Sequence, residues 1–327
     1  MSNYVFHLYS PVRGGITDYV DMLLENYSKS EKISIERQTD HQIFLQEQCL
    51  LHYSGYGYAN RGAPLWLLNK VLTDRPRIKK LGIFFHEIYA FGPPWSSAFW
   101  LSPVQRHIAR RLVEISDFWI TNRESSAQWL RQFAGDKPHA VLPVFSNVGE
   151  MSAYAPQRAP KIIIFGSAAL RVTTYRVAGT ALFSWASQQG LEVHDIGPVI
   201  NNPEISTMLQ NFGVVQHGRL GLQEVSHQLA DASFGVVAYP ANYVAKSGVF
   251  AAYCAHGICP ILISKHYAPS DGLLSGVNYV AGLPLAETKN ASYQNIGSAA
   301  WTWYQPHRIM AHVNTINYLL NKVSTAC

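Results

Sequence analysis

The sequence predicts an α/β protein of two doubly wound domains, each a parallel sheet with helices on both faces. Three observations carry this. Short apolar runs alternate with segments of helical spacing along the chain, the order a parallel sheet requires. The alternation pauses over Val148–Pro160, a polar stretch holding Pro156 and Pro160, and then resumes. The length of 327 residues suits two hydrophobic cores rather than one.

In the first half, Tyr4–Tyr9 reads as a strand and Ser10–Gly15 (SPVRGG) as a loop. Ile16–Tyr27 has helical spacing through Ile16, Tyr19, Val20, Leu23 and Leu24. Strands are expected at Ile33–Arg37 and Cys49–Tyr53, a helix at Leu65–Leu72, and a strand at Leu81–Phe85 that delivers His86. Ser102-Pro103-Val104-Gln105 matches a capping box with proline in the first turn, so a helix is expected from there to Ile115. Phe118–Thr121 (strand), Ser125–Phe133 (helix) and His139–Leu142 (strand) complete this half.

In the second half, Ile162–Phe165 is a strand, Gly166–Tyr175 a loop, and Val177–Gln189 a helix. Val193–Ile196 (strand), Glu204–Phe212 (helix), Val214–Gln216 (strand) and Leu222–Ala232 (helix) follow. Phe234–Tyr239 is an apolar strand, Ala241–Gly248 its loop, Val249–His256 a small-residue helix ended by Gly257, and Ile258–Ile263 the next strand. Trp301–Leu320 is helical with a break at Pro306.

Composition narrows the function. Only 14% of residues are charged, against about 25% in ordinary globular proteins. A net charge of +5 favours anionic ligands, but without a dense basic tract it does not imply nucleic acid. Cys49, Cys254, Cys259 and Cys327 have neither zinc spacing nor a disulfide framework, and so read as thiols of a reducing compartment. No apolar run reaches the roughly 18 residues of a membrane span. The start, MSNYVFHLYSPV, lacks the basic region of a signal peptide. A cytoplasmic protein, at most touching the inner membrane face, is expected.

The stretch ANYVAKSGVFAAYCAHGICP puts Lys246, Ser247 and Gly248 at a strand-to-helix turn. That is where phosphate is bound: amides point out of the helix start, the helix dipole is positive there, and lysine adds a point charge. There is no glycine-rich Walker pattern, which argues against a P-loop hydrolase. Ligands of doubly wound sheets sit beyond the carboxyl ends of strands. The informative loops are therefore Ser10–Gly15, His86–Trp95, Gly166–Tyr175, His217–Leu220 and Ala241–Gly248. Tyr89, Phe91, Trp95, Phe99 and Trp100 precede a helix carrying Arg106, Arg110 and Arg111. This aromatic and basic surface suits a lipid-linked acceptor or an anionic membrane.

At these loops the chain resembles the retaining nucleotide-sugar glycosyltransferases of the two-domain GT-B fold, of the large family-four (group 1) type. The resemblance rests on SPVRGGITDYV, FHEIYAFGPPW, IIIFGSAALR, GRLGLQEVSHQLADASFGVVAYP, KSG, AHGICPILI and the terminal WYQPH helix, and spans nearly the whole chain. It implies two Rossmann-like domains facing a central cleft: residues 1–155 binding acceptor, 156–302 binding donor, and 303–327 a helix crossing back to the first domain.

The same resemblance implies site residues. His86, Arg171 and Lys246 would be catalytic. The donor would be held by Gly14, Gly15, Ser167, Arg171, Lys246, Ser247 and Gly248, with His217, Gly218, Arg219 and Leu220 around the nucleotide base. Glu87, Tyr89 and Trp95 would meet the acceptor. No cofactor is implied, the nucleotide sugar being a substrate. No Asp-x-Asp pair stands at a strand end, so metal-independent transfer is expected. Of two glutamates usual in the family, the second falls at Ala252 and the first near Val244. That departure favours one alternative, a non-catalytic GT-B module binding nucleotide sugar or glycan for a partner enzyme. A second, a nucleotide-sugar epimerase or hydrolase on the same fold, would need a carboxylate at the cleft, for which Glu87 is the first-domain candidate. Polysaccharide or glycolipid synthesis is the process such an enzyme serves.

Overall fold

The computed structural model describes residues 7–10, 15–27, 48–90, 92–283 and 290–322. The strand expected at Ile33–Arg37, as well as Gly14 and Cys327, lies outside the described residues. The chain forms two compact units, Met1–Leu142 with Ile309–Cys327, and Pro143–Arg308. Val148–Pro160 belongs to the second unit. There the Ser146 amide donates to the Tyr304 hydroxyl (2.7 Å), which donates to Glu150 (2.6 Å), itself paired with Arg308 (3.2 Å).

In the first unit, strands β1 (His7–Tyr9), β2 (Gln48–Tyr53), β3 (Lys80–Phe85), β4 (Phe118–Thr121) and β5 (His139–Val141) pair in that order, all parallel. The strands are separated by helices α1 (Gly15–Tyr27), α2 (Gly55–Tyr58), α3 (Leu65–Asp74), α4 (Ser97–Ile115) and α5 (Glu124–Ala134). Side-chain alternation divides the sheet. Cys49, Leu51, Tyr53, Leu81, Ile83 and Phe85 join the core formed with α3, α4 and α5. His52, Phe84 and His86 meet Tyr19 of α1 on the other face. Burying each large apolar side chain contributes about 1.5–3 kcal/mol.

Helix α4 starts earlier than the capping-box reading expects. Ser96 is its N-cap, accepting from the Phe99 amide (3.3 Å), and Pro103 sits inside the helix.

The second unit holds β6 (Ala159–Phe165), α6 (Ala168–Gln188), β7 (Glu192–Ile196), α7 (Pro203–Asn211), β8 (Val215–Gly218), α8 (Leu222–Asp231) and β9 (Ala232–Ala238). A 3-10 turn over Ala241–Lys246 leads to α9 (Gly248–Ala255), then β10 (Cys259–Ile263), β11 (Val280–Ala281) and α10 (Asn290–Tyr304). The chain returns to the first unit as α11 (Ile309–Lys322), after a 3-10 break at Gln305–His307 where Pro306 was expected to interrupt the helix.

The second sheet runs β11-β10-β9-β6-β7-β8, all parallel. Strand order therefore reverses between β6 and β9, the place where such sheets bind ligands. Gly235 of β9 fixes α9 there. A Cβ on Gly235 would come within 2.4 Å of the Tyr253 ring. With glycine, Tyr253 lies across the sheet and donates to the Ile163 or Val236 carbonyl, each 3.1 Å away. Arg158 holds the far ends of two helices, donating to Ala230 O and His256 O at 2.7 Å each, as suits a cation at helix C-termini.

Candidate active site

The switch point of the second sheet gathers two helix starts. Ser167 caps α6, its Oγ accepting from Leu170 N (3.3 Å). Ser247 caps α9, accepting from Phe250 N (3.2 Å). Each cap satisfies one amide and leaves those before it without an intrahelical acceptor. The two starts are close together. Gly166, at φ +125°, turns the chain out of β6, and a Cβ there would lie 3.2 Å from Val249 of α9. The turn residue Lys246 is half-buried, directly ahead of the α9 cap. A Cβ on Gly248 would come 3.3 Å from the Asn147 side chain, so a neutral amide borders this helix start. Asn147 carries no local signal in the sequence: it lies between the strand expected at His139–Leu142 and the stretch Val148–Pro160.

Arg171 corrects an expectation. It lies not on a loop but in the first turns of α6, which runs from Ala168, well before the expected Val177. Only 1% of its side chain is exposed. Its guanidinium donates to Asp195 Oδ1, to the Pro198 carbonyl and to the Gly166 carbonyl, the last at 3.1 Å. Tyr175 donates to the other oxygen of Asp195 (2.9 Å). Arg171 therefore ties the turn after β6 to the turn after β7, its guanidinium turned inward to Asp195 and two backbone carbonyls.

On the neighbouring edge, His217 stacks on His194 (centroids 5.1 Å), with His194 Nδ1 2.8 Å from His217 Nε2 and Glu192 3.3 Å from the other ring nitrogen. The pairing of β7 with β8 shifts register at His217, a bulge of the kind that re-aims a side chain. Burial lowers the basicity of His194. Gly218 (φ +69°) accepts from the Gly197 amide (2.9 Å). Arg219 is exposed and Leu220 half-buried.

In the first unit, His86 follows β3 and prolongs the sheet, its amide donating to Tyr53 O (2.9 Å). It is buried, stacks on Phe84 (4.4 Å, 8°), and places Nε2 2.9 Å from Nδ1 of His52. Tyr19 covers both rings, and its hydroxyl is 2.6 Å from Nδ1 of His312 on α11. Burial, with His312 nearby, pushes the His52 pKa down to about 3. Neither His52 nor His312 stands out in the sequence: one reads as strand interior, the other as a position in a C-terminal helix.

Glu87 is exposed and accepts from Ser54 Oγ (2.9 Å). Tyr89 is engaged in packing, with Arg106 over its ring at 4.2 Å and Trp129 beside it. Trp95 is 87% exposed. Gly15 opens α1 and is exposed. Among the described residues no group of three or more His, Cys, Asp or Glu side chains is placed to hold a metal ion.

No protein-family model matches the chain, and no curated protein sequence matches it. Solved structures do. A Listeria monocytogenes protein with a provisional UDP-N-acetylglucosamine 2-epimerase assignment superposes with TM-score 0.56 at 10% identity, over 99% of this chain and 98% of its own. An α-glucosyltransferase solved with UDP-glucose and DNA containing an abasic site gives 0.52 at 10% identity, covering 96% and 98%. A chain of the GtfA/B complex gives 0.55 at 14% identity, covering 85% of this chain; this chain spans only 58% of its length. At such identities the likeness defines the fold alone. The architecture is GT-B, with two Rossmann-like α/β units.

Proposed function

We propose that the protein transfers a sugar, with retention and without metal, from a nucleoside diphosphate sugar to a hydroxyl of a glycan or lipid-linked acceptor. The observation that carries this reading is the meeting of two serine-capped helix starts, at Ser167 and Ser247, with Lys246 in the adjoining turn. In transfer, the bond from the anomeric carbon to the diphosphate oxygen breaks and a bond to the acceptor oxygen forms on the same face. The acceptor proton passes to the leaving phosphate. Charge grows on that diphosphate, and preorganised donors aimed at it lower the barrier.

The amides ahead of Leu170 and Phe250, the helix dipoles and the Lys246 ammonium supply those donors. Gly14 and Gly15 are assigned to the donor by the family resemblance alone, and His217–Leu220 would border the base. His86 donates to a sugar hydroxyl or phosphate oxygen, and Glu87 and Trp95 meet the acceptor. Arg171 acts as a positioning residue, not as a ligand of the diphosphate. The aromatic tip of Trp95, Phe99 and Trp100 would rest on an anionic membrane that carries the acceptor.

The Listeria neighbour favours a second reading, epimerisation or hydrolysis of a nucleotide sugar. Ala252, fully buried in α9 where a carboxylate would be expected, favours a binding module. One experiment separates them. Purified protein is incubated with a panel of nucleotide sugars, with and without acceptors, in buffer containing EDTA. Acceptor-dependent release of nucleotide supports transfer. Acceptor-free conversion supports the epimerase or hydrolase, and binding without turnover supports the module. Activity lost in EDTA and restored by manganese or magnesium would overturn the metal-independent form.

A further inference from the structure

The histidine His52 has no role in the reaction just described, yet it is wholly buried against the residue given one. Its Nδ1 is 2.9 Å from Nε2 of His86, and the rings stack at 5.1 Å. Its other nitrogen, Nε2, is buried and has no hydrogen-bond partner among the described residues. One proton lies between the two rings, and its owner can be assigned by elimination. If His86 donated it from Nε2, His52 would carry its own proton on Nε2, and a buried N–H would be left unpaired. Orphaned buried N–H groups are rare and costly, whereas an unused lone pair is tolerated more easily. The proton therefore belongs to Nδ1 of His52, and His86 accepts it at Nε2.

We infer that His52 is a positioning residue that holds His86 as the neutral Nδ1–H tautomer, so that His86 serves the transfer as a hydrogen-bond donor from Nδ1 and not as an imidazolium. Charging His86 would require a proton on Nε2, facing the His52 proton. His52 would then have to move its own proton to Nε2, where no acceptor stands among the described residues. The groups around the pair work in the same direction. From α1, Tyr19 packs edge-on to His86, and burial keeps its hydroxyl protonated. From α11, His312 engages the Tyr19 hydroxyl and disfavours charge on His52. From the sheet, Phe84 stacks flat on His86 and also on His52. Glu87, next in the chain, bonds to Ser54. The orientation of a histidine by the bond at its second nitrogen is a general device.

The inference rests on the reading of His86 as part of sugar transfer, and the test separates the two. Full-length protein labelled with ¹⁵N-histidine is titrated from pH 8 to 5.5, with His52→Phe, His52→Asn and His86→Gln alongside. In the wild type, His86 should show a protonated Nδ1 and a bare Nε2 and should not titrate in this range. His52→Phe keeps a stacked ring but no donor. His86 should then lose its fixed tautomer and titrate near neutral pH. Turnover should fall about tenfold and become pH-dependent between 6 and 7.5, with nucleotide affinity unchanged. Asparagine places an amide donor near the Nδ1 position, so His52→Asn should restore both tautomer and turnover. If wild-type His86 is found protonated at Nε2, or charged at pH 7, the inference is overturned without reference to activity. Loss of turnover in His86→Gln with none in His52→Phe would also overturn it while sparing the reading of His86; loss in neither overturns that reading.

Discussion

Arg171 and Asp195 form an ion pair inside the second unit, with 1% and 5% of their side chains exposed. Tyr175 and two backbone carbonyls complete the hydrogen bonding of the pair. Taking one partner from a buried pair strands the other charge, at a cost of about 3–5 kcal/mol. Arg171→Ala should therefore lower the urea midpoint strongly, and any loss of activity should follow the unfolded fraction. The double replacement Arg171→Met with Asp195→Leu should be milder than Arg171→Ala. A stable Arg171→Ala protein with weakened nucleotide binding would return Arg171 to the donor site.

The turn at Gly166, which leads into α6, lies against Val249 of α9. Alanine there would have to adopt φ +125° and bring its Cβ 3.2 Å from both Leu170 and Val249. Strain of this kind costs about 1–3 kcal/mol. Gly166→Ala should melt lower and bind nucleoside diphosphate less tightly, because relief of the contact parts the two helix starts. Unchanged affinity in calorimetry would separate this turn from the site.

Acid should weaken the fold through buried neutral histidines. His52 and His256 are both fully buried, and burial chiefly holds their pKa values at about 3 and about 4. An unfolded histidine titrates near 6.5. The stability these groups contribute is complete above that value and is lost as pH falls toward the folded values, since the unfolded chain then takes up more protons. At pH 5 each should cost about 2 kcal/mol. Melting temperature should drop between pH 7 and 5, and His256→Gln should reduce the pH dependence. A flat profile would mean that these rings accept protons without unfolding.

Trp95 and Trp100 stand 87% and 70% exposed, with Phe99 at 44%. The basic face behind them is partly committed: Arg110 and Arg111 both pair with Glu114, and Arg106 covers Tyr89. Aromatic insertion should therefore outweigh charge. Cosedimentation with anionic vesicles should fall more in Trp95→Ala/Trp100→Ala than in Arg110→Gln/Arg111→Gln, and moderate salt should only partly release the protein. Equal sedimentation of all variants, or none with any vesicle, would remove the membrane contact.

Much of the sheet framework was legible because buried parallel strands are apolar runs, as at Leu81–Phe85 and Phe234–Tyr239. The start of α6 was not. Its buried face runs Arg171, Thr174, Tyr175, Ala178, a helical spacing hidden by an arginine and a threonine in core positions. Ser102-Pro103 imitates a helix start inside a helix already capped at Ser96. Of the candidate site, the strand-to-helix turn at Lys246–Gly248 could be read, since its chemistry is local. The His52–His86 pair could not. It depends on the register of β2 against β3, which places residues 34 positions apart side by side.

The most direct test of the donor site is calorimetric titration of the wild type and Lys246→Ala with UDP and other nucleoside diphosphates, without added metal. Lys246 borders the capped start of α9, and its ammonium is assigned to the diphosphate. A charge-assisted contact of this kind is worth about 1.5–3 kcal/mol, or roughly 10- to 100-fold in affinity. One binding event per chain is expected in the wild type and a loss of that size in Lys246→Ala, with the melting temperature unchanged. Equal affinity in a folded Lys246→Ala protein would contradict it.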